Sequence, residues 1–216
     1  MDNNEIEHAI SEDFIYKIVL DMAKDIKGKI LDTGAGQGRF TKVLARKNSN
    51  QIFACDFYPK HFRYKKIPCI KADLNNKLPF KNNFFDGVIT ISVLEHLENP
   101  WHFSREINRI LKNKGKIIIV VPNTASLTSR LSYLFRAYFP YFSDEHLPMH
   151  ILPLTPREIK NVFARVGFRL VDIRFPKGRI PKTSLIWQNF LPFLQGELFS
   201  DLVFLEFEKK GSKTNE

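Results

Sequence analysis

Ile30-Leu31-Asp32-Thr33-Gly34-Ala35-Gly36-Gln37-Gly38 decides the fold. A short apolar run breaks into a loop with glycines at 34, 36 and 38, and a helix is expected to start near Arg39. The helix would offer its first N–H groups to whatever lies on the loop. Glycine suits such a loop because a Cβ blocks close approach of backbone to ligand. The next apolar run, Ile52-Phe53-Ala54-Cys55, closes on Asp56. A carboxylate about 20 residues after the loop, at the tip of a second strand, can accept both hydroxyls of a ribose. Strand, glycine loop, helix, strand and acid together make an adenosine half-site.

The glycine spacing chooses between cofactors. A dinucleotide fingerprint, G-x-G-x-x-G, would place its third glycine where Arg39 stands. Asp32 adds a negative charge just before the loop, which repels a pyrophosphate and suits an α-ammonium group. An adenosine with a positively charged tail is implied, and S-adenosylmethionine fits that description.

Four further stretches follow in order: Ile70-Lys71-Ala72-Asp73-Leu74; Leu78-Pro79-Phe80 with Phe84-Phe85-Asp86-Gly87-Val88-Ile89; Ser92-Val93-Leu94-Glu95-His96-Leu97; and Arg109-Ile110-Leu111-Lys112-Asn113-Lys114-Gly115-Lys116 leading into Ile117–Val121. With the glycine loop, they resemble the class I S-adenosylmethionine-dependent methyltransferases of the small-molecule type, closely over residues 28 to 123 and more loosely beyond. The resemblance implies a Rossmann-like three-layer α/β/α sandwich. Its seven-stranded, mostly parallel sheet would run in the order 3-2-1-4-5-7-6, with the last strand antiparallel. It implies S-adenosylmethionine as cofactor, S-adenosylhomocysteine as product and no metal. The implied cofactor residues are Asp32, Gly34, Ala35, Gly36, Gly38, Asp56, Phe57, Asp73, Leu74, Ser92 and His96. Within that set Asp73 and the Leu74 N–H would meet the adenine, and Ser92 and His96 would border the methionine tail.

The chain of 216 residues is long enough for one domain, expected over 1–210 with a disordered tail at 211–216. No apolar run reaches bilayer-spanning length. Asp2, Glu5, Glu7, Glu12 and Asp13 at the start exclude a secretory leader, so a cytoplasmic protein is expected. Cys55 and Cys69 read as small core residues in a reducing compartment. The net charge of +10 raises nucleic acid as a partner, but the basic residues are scattered. Their densest group, Lys60, His61, Arg63, Lys65 and Lys66, is expected on a solvated helix after Asp56.

Ser11 reads as the cap of a leading helix over 11–27, with apolar residues recurring at helical spacing from Phe14 to Ile26. Strands are expected at Lys29–Asp32, Gln51–Asp56, Ile67–Lys71, Gly87–Ile91, Lys116–Val121, Phe168–Phe175 and Leu202–Phe207. Asn99-Pro100 opens a helix to Leu111, and Thr155-Pro156-Arg157-Glu158 is a capping box. Two segments interrupt the alternation, at about 124–150 and 176–200. The first holds Leu127, Leu131, Leu134, Phe135 and Tyr138; the second holds Trp187, Phe190 and Phe193. They read either as lids over an apolar or lipid-linked acceptor that also touches a membrane surface, or as ordinary core or dimer contacts. Monomer and homodimer both remain open.

Methyl transfer to a hydroxyl needs a base, and histidine titrates in the right range. His150, five residues before Thr155, is the first candidate, and its segment resembles the His-then-Thr/Ser-Pro stretch of related methyltransferases. His146 is the second candidate. The acceptor expected is a small molecule, lipid or glycan precursor. RNA or protein methylation and a non-catalytic, cofactor-binding partner subunit are the alternatives.

Overall fold

The computed structural model describes residues 3–47, 50–144, 149–177 and 195–211. Its sheet has seven strands: β1 (Lys29–Thr33), β2 (Gln51–Asp56), β3 (Cys69–Lys71), β4 (Phe85–Ile91), β5 (Leu111–Pro122), β6 (Phe168–Arg174) and β7 (Leu202–Lys209). They lie in the order β3-β2-β1-β4-β5-β7-β6. β7 runs antiparallel to both β5 and β6, and the other pairings are parallel. The expected fold and strand order are therefore those of the molecule.

The central strands are buried on both faces, which is why their sequences read as unbroken apolar runs rather than alternating ones. One core layer forms where α3 (Pro100–Ile110) and α5 (Pro156–Arg165) cover the sheet; Phe85, Phe103, Phe163, Phe168 and Phe207 are fully buried there. On the other face α1 (Asn3–Met22) and α2 (Arg39–Lys47) pack through Val19, Met22, Phe40 and Leu44. The Asn99 side chain accepts the N–H of His102 to start α3, and the Thr155–Glu158 capping box starts α5. Both helix starts fall where the sequence places them.

Several expectations need correction. The leading helix is not 11–27: α1 begins at Asn3, Ser11 lies inside it, and a single 3-10 turn at Ala23–Asp25 ends it. Polar helix-forming residues extend it upstream, and Gly28, at φ +111°, reverses the chain before β1. The basic stretch after Asp56 is not a helix but one 3-10 turn, Pro59–His61. Phe62 has to turn inward there, where it is 4% exposed and packs under Gly38. β3 begins at Cys69 rather than Ile67, directly after Pro68, which cannot donate to the ladder. Most of the second lid segment, including Trp187, Phe190 and Phe193, lies outside the described residues, as does nearly all of the tail.

The first lid segment holds α4 (Leu127–Arg136), capped by Ser126. Its apolar side is not core: Leu134 is 72% exposed and Phe135 78%. Among the described residues no helix is long and apolar enough to cross a membrane.

Candidate functional site

The strand order reverses between β1 and β4, so the loops leaving their carboxyl ends diverge and open a crevice. Thr33 pairs with Cys55 on one side and Thr90 on the other, which brings the tips of β1, β2 and β4 level. The glycine loop rises from the first tip, Asp56 ends the second, and Ser92–His96 leaves the third.

The three glycines have different reasons to be glycine. All have positive φ, at +66°, +52° and +79° for 34, 36 and 38. A Cβ on Gly34 would lie 2.5 Å from Val93, and one on Gly38 would lie 2.5 Å from the Phe62 ring. Those two positions are small because the protein packs against itself. A Cβ on Gly36 would meet nothing within 4 Å, so only this backbone fronts the open crevice. Ligand approach, the sequence-based reason for all three, applies to Gly36 alone. Ala35 fixes the loop by donating its N–H to Cys55 O at 3.0 Å and accepting from Gly38 N–H at 2.8 Å.

The Gly36 N–H donates to Asp56 Oδ2 at 2.8 Å, and the Tyr58 N–H donates to Oδ1 at 2.7 Å. A carboxylate has about four acceptor positions, so lone pairs remain for ribose hydroxyls. Phe57, beside it, is exposed and stacks edge-on against Tyr58. Asp73 accepts from Asn75 N–H at 2.9 Å and Asn76 Nδ2 at 2.7 Å, which shapes the turn that carries Leu74. Asp32 lies deeper, 3% exposed, with its Oδ2 2.5 Å from the Thr41 hydroxyl of α2. Burial pushes its carboxyl up to about 7; the Thr41 hydrogen bond opposes this and the charge of Asp56 adds to it. A cation brought to Asp32 would pull that proton off. An open backbone cradle, one acid beneath it and one on its rim fit an adenosine with a cationic tail better than a pyrophosphate.

On the β4 side, Ser92 has φ +52°, an uncommon conformation for a non-glycine residue of the kind that collects at functional sites. Its N–H still donates to Val120 O at 2.8 Å, so β5 holds the turn in place. Glu95 follows, 3% exposed, and neither carboxylate oxygen has a hydrogen-bond partner among the described residues. Burial pushes this carboxyl to about 7 as well. The main-chain oxygen of Glu95 accepts the N–H groups of Ile151 and Leu152 at 2.9 and 3.1 Å. That stitch brings the distant His150 to His96, with ring centroids 4.6 Å apart. His96 Nδ1 lies 2.7 Å from Met149 O, and His150 Nδ1 lies 2.5 Å from Tyr141 O. His146 lies outside the described residues.

The sequence reading passed over Glu95 as a site residue. The signal was present: a carboxylate inside Val93-Leu94-Glu95-His96-Leu97, between leucines that are both buried. It also missed Thr41, whose partner Asp32 is nine positions away, and the packing of Phe62 and Val93 on the loop glycines.

Comparison with known proteins agrees with this geometry. Residues 31–119 match the family model of a methyltransferase domain. An uncharacterized protein of Methanocaldococcus jannaschii is 36% identical over 167 residues, covering 76% of this chain and 70% of that protein. A demethylmenaquinone methyltransferase of Thermotoga maritima is 28% identical over 162 residues, covering 66% and 70%. The crystal structure of a SAM dependent methyltransferase from Archaeoglobus fulgidus superposes with TM-score 0.68 at 20% identity, covering 92% of this chain and 94% of that one. The chain belongs to the class I S-adenosylmethionine-dependent methyltransferases, enzymes whose cofactor is S-adenosylmethionine.

Proposed function

We propose that this methyltransferase acts on a hydroxyl oxygen of a small acceptor with an apolar body, of the lipid or glycan-precursor class. The cofactor supplies a methyl group on a sulfonium, which a nucleophile displaces in line. The chain's own residues position the reactants and exclude water. Asp56 would hold the ribose, Asp73 and the Leu74 N–H the adenine, and Asp32 with the Gly36 backbone the charged tail. Ser92, through its carbonyl, and His96 would border that tail.

The observation that carries the acceptor assignment is the meeting of His96, His150 and buried Glu95 at the β4 tip. A hydroxyl must lose its proton as the new C–O bond forms. A carbonyl oxygen only accepts, so Nδ1 of His150 carries the ring proton and Nε2 is the basic atom. His150 is therefore the base in this reading. An aromatic line runs outward from it through Phe142 (5.6 Å), Phe139 (6.3 Å) and Tyr133 (5.0 Å). It ends at α4, whose exposed leucines and Phe135 suit an apolar acceptor or the membrane surface that presents one. The Thermotoga relative is named as a demethylmenaquinone methyltransferase. Free cysteines and a soluble-type core accord with a cytoplasmic enzyme.

RNA is the second reading. It is favoured by the net charge and by a cleft of about 260 Å³ lined by Gln37, Gly38, Arg39, Lys42, Arg63 and Tyr64. One screen separates the two. Cofactor labelled on its methyl group is incubated with the chain and with lipid, glycan, RNA or protein fractions. Label in the lipid or glycan fraction, reduced at least ~100-fold by His150→Ala with cofactor affinity unchanged, is expected. Label confined to RNA or protein overturns the proposal.

A further inference from the structure

We propose that Glu95, His96 and His150 form a binding site for a divalent transition-metal cation. One ligand atom from each residue lies within 4.8 Å of the others. Glu95 is 97% buried by its 3% exposure, and both oxygens lack a hydrogen-bond partner among the described residues. A buried carboxylate is normally paired or coordinates a metal, and nothing described here pairs this one.

The histidines carry the second half of the argument. Each holds its Nδ1 against a main-chain carbonyl, Met149 O for His96 and Tyr141 O for His150. The ring proton is thereby fixed on Nδ1, and Nε2 becomes the electron-pair donor. Metal-binding histidines are oriented in this way, by a carbonyl or carboxylate on the far nitrogen. The N–H groups of Ile151 and Leu152 are bound to Glu95 O, which ties the loop bearing His150 to the turn bearing His96. Ligand atoms around zinc stand roughly 3.4 Å apart for bonds of about 2.1 Å. All pairs lie within 4.8 Å, so none has to close by more than roughly 1.4 Å to reach that spacing.

Two imidazoles and one carboxylate suit zinc, iron or manganese over calcium or magnesium, which prefer oxygen donors. Three protein ligands leave a coordination position open, as in a catalytic rather than a structural site. A cation there would take an acceptor oxygen and make its proton easier to lose to solvent; His150 Nε2, committed to the cation, would then be a ligand in place of the base assigned above. This last step rests on the hydroxyl-acceptor reading; the metal site itself does not.

Chain stripped with chelator and titrated with Co²⁺ tests the site directly. Equimolar binding with visible ligand-field absorption is expected, and Zn²⁺ should displace the colour and raise the melting temperature. Glu95→Gln and His150→Ala should each weaken metal binding more than about tenfold, while calorimetry shows cofactor affinity retained. If Glu95→Gln fails to fold, His150→Ala and the wild-type titration still decide. A wild-type chain that stays colourless and unshifted overturns the proposal. So does binding that survives in the variants, because the ion would then sit elsewhere. Metal binding with no label reaching any hydroxyl acceptor would count against the acceptor reading alone.

Discussion

Asp56 Oδ2 accepts the Gly36 N–H at 2.8 Å, which ties the tip of β2 to the loop that leaves β1. One carboxylate therefore sets the loop and faces the crevice. Asp56→Ala should weaken cofactor binding by at least ~10-fold, because a charge-assisted hydrogen bond contributes about 1.5–3 kcal/mol and the loop loses its anchor too. Isothermal calorimetry measures this, and unchanged affinity would remove Asp56 from the cofactor site.

Gly34 and Gly36 should respond differently to the same change. Alanine at 34 carries the left-handed backbone cost of about 1–2 kcal/mol and also drives a Cβ to 2.5 Å from Val93, for a total loss of about 2–5 kcal/mol. Alanine at 36 meets no atom within 4 Å and should cost only about 1–2 kcal/mol for its left-handed backbone. That variant should stay folded and lose cofactor affinity. Thermal melts beside calorimetry would show the split; a Gly36→Ala chain with full affinity would make the loop a mere turn.

The pH dependence of stability should carry the signature of Asp32. Its folded carboxyl sits at about 7, above its ordinary 3.8, because burial disfavours the charge. A raised acid holds its proton in the folded state while the unfolded chain has already released it. Its favourable contribution is complete below about pH 4 and is lost as pH rises through about 7, by as much as ~4 kcal/mol. Asp32→Asn keeps an oxygen for the Thr41 hydroxyl without the charge. It should flatten this part of the curve relative to wild type and raise the melting point at pH 8. It should also weaken cofactor binding, and wild-type binding should release protons below pH 7. An unaltered pH–stability curve in the variant would contradict this account.

Arg109 holds together the segment that leads into β4. Its guanidinium donates to Phe80 O at 2.7 Å, Leu78 O at 3.0 Å and Asn82 Oδ1 at 2.9 Å, and it pairs with Glu106 at 2.7 Å. The other duty of Glu106 is to accept the Leu78 N–H at 2.8 Å. Arg109→Met should cost about 2–4 kcal/mol, since Glu106 would stay buried without its counter-charge. Chemical denaturation would show this, while cofactor affinity should hold because the cluster lies away from the strand tips.

Much of this molecule can be read along the chain, because its signals are local. A buried parallel strand needs a continuous apolar run, a glycine loop announces itself, and caps such as Asn99-Pro100 and Thr155-Pro156 follow from nearest-neighbour hydrogen bonding. Those features predicted the strands, the first crevice wall and the cofactor class, while the strand order followed from the family resemblance. Local signals also misled where distant packing prevailed: the basic stretch after Asp56 looks helical, yet Phe62 unwinds it to reach Gly38.

The acceptor side belongs to the tertiary structure. Glu95 and His150 are separated by more than fifty positions and meet only because Glu95 O captures Ile151 and Leu152. The division of labour among the glycines is likewise invisible until Val93 and Phe62 arrive from other strands' loops. Pattern along a chain encodes which residues must be buried and where the backbone must turn. It does not encode which buried polar group is left without a partner, because that is decided by what the rest of the fold brings, or fails to bring, within hydrogen-bonding distance.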